Sequence, residues 1–111
     1  MEILNNNSIK EFNFEIEIDG LIKIIRFKMY NEDDFPKIEG QCVYIFTYYD
    51  KIEKDYHHRH VSNTADFNGT FPDKDAKKHL SHYKSNQILI YKCEEGENEL
   101  KIEQALRCFI E

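Results

Sequence analysis

Residues 11 to 30 carry the pattern that most restricts the fold. In "EFNFEIEIDGLIKIIRFKMY" every second residue of the first half is apolar, which is the period of a strand with one buried face. These apolar residues are Phe12, Phe14, Ile16 and Ile18. Asp19 and Gly20 then predict a two-residue type I′ turn. The stretch is therefore expected to form an N-terminal β-hairpin.

The turn also predicts how the two strands of this hairpin pair. Apolar residues then face apolar ones, and charges of opposite sign face each other. Close to the turn the match is worse, because Ile16 faces Lys23, and we expect a β-bulge near Ile24 and Ile25. The predicted partners are Glu11 with Lys28, Phe12 with Phe27, and Phe14 with Ile25.

Three further runs are typical of strands. "CVYIFTYY" and "YHHRHVS" are rich in β-branched and aromatic residues and are separated by the charged turn "DKIEKD". "QILIYKC" is continuously apolar, which is typical of a strand covered on both faces. Within "YHHRHVS" strict alternation places His58 and His60 on one face, and His57 and Arg59 on the other. A zinc site there would need a ligand from another element.

Two helices are predicted around the last strand. "DKDAKKHLSHY" has Asp73 as N-cap and an apolar face, and "NELKIEQALRCFI" has Asn98 as N-cap and an apolar stripe. "NTADFNGTFP" is expected to be a loop. The order β-β-β-β-α-β-α predicts an α+β or α/β domain, with two helices packed on a small, mainly antiparallel sheet. The apolar positions are Ala76, Leu80 and Tyr83, and then Ile102, Ala105, Leu106 and Phe109.

Composition limits the classes of function. A chain of 111 residues is expected to be one domain, residues 1 to 111. The net charge of −6 disfavours strong non-specific nucleic-acid binding, because phosphate contacts need a local excess of Lys and Arg. No run of about eighteen apolar residues and no secretion signal is present, so a soluble, cytoplasmic protein without membrane contact is expected. Three cysteines without a CxxC pair disfavour a disulfide framework.

"CVYIF", "HVSNTADF" and "NELKIEQALRCFI" resemble, in this order, three landmarks of the GIY-YIG endonuclease superfamily, whose fold is a small sheet with flanking helices. The resemblance covers residues 40 to 111 and leaves the N-terminal hairpin as an addition. It implies that Tyr44 is the catalytic tyrosine, that His60 stands in the second motif, and that Glu103 holds a divalent metal. The metal implied is magnesium or manganese.

The motifs also depart from the family pattern. Cys42 and Ser62 stand where the family has glycine, and His60 stands where it has tyrosine, with Tyr56 as an alternative for that position. The family's arginine is missing, since no Arg occurs between Arg59 and Arg107. The candidate replacements are Lys78 and His82, which are spaced i, i+4 on the predicted helix.

Three functions follow from these observations. The first is a catalytically impaired GIY-YIG-like domain that binds nucleic acid or a protein partner. The second is an active metal-dependent endonuclease, and the third is a small acidic inhibitor or mimic protein. Simpler roles compete at each candidate: Tyr44 as an aromatic residue of the sheet, Glu103 as the i, i+4 ion-pair partner of Arg107, and Lys78 with His82 as a solvated helix face.

Overall fold

The computed structural model describes residues 10–31, 35–72 and 76–111. Within them, five strands form one sheet in the order β1-β2-β5-β3-β4, and every pairing is antiparallel. The strands are β1 (Glu11–Ile18), β2 (Leu21–Asn31), β3 (Cys42–Asp50), β4 (Asp55–Thr64) and β5 (Gln87–Lys92). The helices are α1 (Phe67–Thr70), α2 (Ala76–His82) and α3 (Glu99–Leu106), which continues into a 3-10 turn at Arg107–Phe109.

The N-terminal hairpin forms with the predicted register. Phe12 pairs with Phe27, and Asp19 and Gly20 have φ of 52° and 81°, as the tight turn requires. The predicted bulge is wrong, because the pairing continues without a shift down to the turn. Lys23 stays in register since its ammonium group forms an ion pair with Glu97, and its charge is therefore compensated.

Each face of the sheet carries its own apolar cluster. We call the face that contacts α3 the inner face and the face that contacts α1 and α2 the outer face. The inner cluster joins strand residues such as Phe27 and Ile45 to Ile102 and Leu106 of α3. The outer cluster contains Tyr44, Phe46, Phe67, Phe71, Leu80, Ile88 and Ile90, together with Cys42. Strand β5 contributes to both, as its continuous apolar sequence predicted.

The sheet is strongly curved toward its inner face. Strands β1 and β4 are the two outermost strands, and in a flat sheet of five they would lie about 19 Å apart. Yet the rings of Phe12 on β1 and Tyr56 on β4 have centroids 4.8 Å apart, and Nζ of Lys10 donates to the Tyr56 hydroxyl at 2.6 Å. The inner face is therefore a trough with α3 lying in it, because α3 contacts both outermost strands.

The helices differ in detail from the predicted order. Asn98 caps α3 by accepting from the amides of Leu100 and Lys101, as expected. An additional short helix, α1, occupies part of the segment expected to be loop, and Asp66 caps it by accepting from the amide of Gly69. The predicted N-cap at Asp73 lies outside the described residues. The architecture is α+β, and the described residues form three α-helices rather than the two predicted.

A β-bulge in β4 changes the faces of the His-rich run. Phe46 pairs with His60 and Thr47 pairs with His58, so Arg59 is the extra residue. The expectation that His58 and His60 share a face is therefore wrong. His58 points to the inner face, where Thr47 Oγ1 lies 2.9 Å from its Nδ1, whereas His60 lies on the outer face beside Phe46. Burial lowers the pKa of His58, and the carboxylate of Glu111 only partly opposes this effect.

None of the helices in the described part of the chain combines the length and apolar character needed to cross a lipid bilayer.

Candidate functional site

Tyr44, the predicted catalytic tyrosine, is a residue of the outer cluster. Its ring makes edge contacts with Phe71 at 5.0 Å and with Phe46 at 5.5 Å. Burial raises the pKa of its hydroxyl, and a hydrogen bond with Ser62 on the neighbouring strand partly opposes the shift. A buried hydroxyl with a raised pKa is a poor base near neutral pH. These contacts are those of an aromatic residue that packs within the sheet.

Glu103, the predicted metal ligand, lies on α3 over the inner face. Its side chain is only 7% exposed, although it is charged. Nδ2 of Asn63 donates to Oε1 at 2.8 Å, and Nη2 of Arg107 donates to Oε2 at 2.7 Å. Both oxygens therefore have a donor within the protein. Asn63 reaches Glu103 because it lies two residues after Val61 on β4. Alternate residues of a strand point to the same face, so Asn63 points to the inner face, as Val61 does.

The structure does not align Tyr44 and Glu103 in one cleft. The two residues lie on opposite faces of the sheet, and the negative charge of Glu103 reaches Tyr44 only as a small contribution to its raised pKa. The donor set around Glu103 does not fit a divalent metal either. Both of its oxygens are hydrogen-bonded, and one of the two partners is a cation, which a metal would have to displace.

His60 and His82 come near each other on the outer side of β4. The imidazole of His60 stacks on the ring of Tyr83 at 4.2 Å and 14°, and His82 meets the edge of the same ring at 4.8 Å. Burial lowers the pKa of His60, and the negative charge of Glu103 partly offsets this effect. Lys78 is exposed on α2, and within the described ranges no hydrogen bond or ion pair joins it to Tyr44 or His60.

Tyr56, the alternative to His60, points to the inner face. Its ring packs against Phe12 and Tyr49, and its hydroxyl accepts from Lys10. It therefore belongs to the contact between β1 and β4 and is separated from Tyr44 by the sheet.

A cleft at the edge of β4 contains two arginines that the sequence did not assign to a site. Its volume is about 280 Å³. Nε of Arg59 is buried and has no hydrogen-bond acceptor among the described residues, and its Cζ lies 5.7 Å from the ring centroid of Tyr48. Arg107 is 65% exposed beyond its contact with Glu103. The lining residues are Arg59, His60, Val61, Arg107 and Ile110.

Comparison with known proteins gives no family assignment. No family model, curated protein or solved structure matches this chain. Two buried side-chain atoms of the described residues lack a hydrogen-bond partner, Oε1 of Gln87 and Nε of Arg59, and of these two residues only Arg59 lines this cleft.

The hydrogen bonds around Glu103 predict a stability effect. Replacing Asn63 with Leu leaves Oε1 of the buried carboxylate without its donor, and we expect a loss of about 1–3 kcal/mol in the free energy of unfolding. Urea denaturation of the wild type and the variant measures the difference.

Two controls separate this effect from a general cost of the substitution. Asn13→Leu changes an exposed residue on β1 and is expected to alter stability by less than about 0.5 kcal/mol. The double variant Asn63→Leu with Glu103→Leu removes both partners and should recover most of the loss. A double variant as unstable as the sum of the two single variants would contradict a paired role for these groups.

Proposed function

We propose that this protein is a nucleic-acid-binding module without nuclease activity, and that the Arg59 cleft binds the phosphodiester backbone. One observation carries the proposal: Arg59 presents a guanidinium with a buried, unsatisfied donor at a cleft that Arg107 and His60 also line. A buried donor without a partner costs free energy, and a rotation of the Arg59 side chain that brings this donor to a phosphate in the cleft would remove that cost.

The chemistry of these groups suits phosphate. A guanidinium presents N–H donors in a planar fork that matches two oxygens of one phosphate. Arg107 has further N–H groups besides the one that Glu103 accepts, and it lies at the same cleft. His60 adds a ring with nitrogen atoms that donate or accept according to tautomer. The two arginines therefore provide positive charge, and His60 provides a further polar group, within one small cleft.

The two arginines form a local positive charge on a chain that is acidic as a whole. The chain as a whole is acidic, with a net charge of −6, so it does not attract polyanions over its whole surface. Binding must come from the local pair of arginines. We therefore expect moderate affinity that falls steeply with salt, with few phosphates contacted.

The residues that a GIY-YIG resemblance implies as catalytic do not support hydrolysis. Metal-assisted cleavage needs a carboxylate free to hold the ion, and both Glu103 oxygens accept hydrogen bonds within the protein. It also needs a group that activates water near that ion, and Tyr44 lies on the other face of the sheet. We propose that magnesium or manganese does not elicit cleavage.

Fluorescence anisotropy with labelled single-stranded and duplex oligonucleotides of DNA and RNA tests the proposal. We expect binding at low salt, and we expect Arg59→Gln to weaken it at least tenfold. A hydrogen bond to an ionised group contributes about 1.5–3 kcal/mol, and 1.4 kcal/mol corresponds to a factor of ten. The variant should also lower the slope of log affinity against log salt by about one for each phosphate that Arg59 neutralises in the wild type.

The matched control is Arg26→Gln, because Arg26 is an exposed arginine on β2 away from the cleft. It removes the same charge and should leave affinity within about twofold. Equal losses in both variants would indicate non-specific attraction rather than a site. No binding of any oligonucleotide at low salt would overturn the proposal and leave a protein partner as the remaining alternative. Cleavage that depends on manganese and is abolished in Glu103→Ala would instead establish the nuclease.

A further inference from the structure

A second group of side chains lies at the β3–β4 turn, and none of its three residues lines the cleft. The turn between β3 and β4 brings together Asp50, the last residue of β3, Glu53 in the turn, and His57 on β4. One potential ligand atom from each lies within 4.8 Å of the other two. We propose that these three residues bind a transition-metal ion of the zinc class.

The mixture of donors selects the class of ion. Two carboxylate oxygens with one imidazole nitrogen suit Zn²⁺, Co²⁺ or Ni²⁺, whereas Mg²⁺ and Ca²⁺ prefer oxygen ligands alone. Within the His-rich run, His57 is the one histidine in this group, because it pairs with Tyr48 close to the β3–β4 turn and alternation places the adjacent His58 on the opposite face. The carboxylates supply the ligands from another element that a zinc site in this run requires.

The spacing is compatible with one shared ion after a small adjustment. Ligand atoms about 2.1 Å from a tetrahedral zinc ion lie roughly 3.4 Å from each other. The present separations of up to 4.8 Å must therefore shorten by about an ångström or more. Glu53 can provide this movement, because its side chain is exposed in the turn.

An independent contact orients the imidazole. Nδ1 of His57 lies 3.0 Å from both carboxylate oxygens of Glu111, a residue that is not in the group of three. The backbone amide of Glu111 donates to the carbonyl of His58 at 2.8 Å, so this carboxylate is held beside the strand. A carboxylate on one nitrogen of a metal-bound histidine fixes the ring and raises its basicity. We assign Nε2 to the ion.

The charge of the group also favours a cation. Asp50 and Glu53 are close together, and none of the lysines and arginines in the described ranges forms an ion pair with either. Oδ1 of Asp50 accepts from the backbone amides of Ile52 and Glu53, so the ion would bind Asp50 through Oδ2. A divalent ion would neutralise the two carboxylates together. The ion would join the β3–β4 turn to the C-terminal segment through His57 and Glu111, so binding should stabilise the fold.

Isothermal titration calorimetry with zinc chloride tests the site, using the full chain with Cys108→Ser, because an exposed thiol also binds zinc. We expect one ion per chain and a Tm that rises with zinc concentration. His57→Gln should weaken binding at least tenfold, and Glu111→Gln should weaken it by about tenfold through the ring it orients. Magnesium chloride in excess should not compete.

The matched control is His82→Gln, because His82 is an exposed histidine on α2 outside the group. It should leave zinc affinity unchanged. Zinc affinity that is equal in wild type and His57→Gln, or no zinc binding at all, would overturn the site. The outcome does not depend on nucleic-acid binding, since the cleft and this group share no residue.

Discussion

Replacing Phe27 with Ala is expected to lower the free energy of unfolding by about 3–5 kcal/mol. Phe27 has no exposed surface, and its ring packs edge-on against Phe14 at 5.4 Å in the inner cluster. The truncation removes most of the buried side chain and leaves a cavity that the surrounding residues of the inner cluster fill only in part. For a domain of this size, Tm should fall by roughly 12–20 °C.

Ile24→Ala is the matched control for this substitution. Ile24 lies on the same strand but points away from the inner face, and it is 62% exposed. Its truncation should change stability by less than about 0.5 kcal/mol. Equal losses at Phe27 and Ile24 would contradict the assignment of the two sides of β2.

Replacing Leu106 with Ala is expected to cost about 2–5 kcal/mol. Leu106 is fully buried in the inner cluster and, with Ile102, attaches α3 to the trough of the curved sheet. The effect should extend to function, because α3 positions Glu103, and the turn that follows it carries Arg107 to the β4 cleft. Urea denaturation and oligonucleotide binding measure the two consequences separately.

Leu100→Ala is the corresponding control on the same helix. Leu100 is 51% exposed in the first turn of α3, so its truncation should leave both stability and binding close to wild type. A stability loss at Leu106 below about 1 kcal/mol would show that α3 is not held by the inner cluster.

The N-terminal hairpin shows how much of the fold the sequence predicts. Alternating apolar residues and the Asp19-Gly20 turn fix the register residue by residue, since both signals act between neighbours in the chain. The one local error is the bulge expected near Ile24. Lys23 lies opposite the apolar Ile16 without a bulge, and its charge is compensated by Glu97, a residue far along the sequence.

The β4 strand shows where sequence patterns stop being sufficient. Strict alternation gives His58 and His60 the same face, but the bulge at Arg59 reverses the pattern after it. The extra residue depends on how β4 fits against β3 and is not encoded by a local turn signal. This extra residue decides which face of the sheet each later residue of β4 points to. It therefore also decides which residues of β4 line the cleft.

The candidate site was only partly predictable for the same reason. The sequence drew attention to Tyr44, His60 and Glu103 through a family resemblance, but it could not place them relative to the sheet. Arg59 and Arg107 were visible only as the ends of a stretch without arginine. Their shared cleft exists because α3 crosses the inner face and ends beside β4.

The sequence by itself determined the hairpin, its turn, the capped helix at Asn98 and the doubly covered strand β5, because each depends on periodicity and on contacts between near neighbours. Tertiary structure decided the curvature that brings β1 against β4 and the separation of Tyr44 from Glu103 by the sheet. It also decided the pairing of Arg59 with Arg107 at one edge. These features depend on packing between residues far apart in the chain, and side-chain patterns along one segment do not specify them.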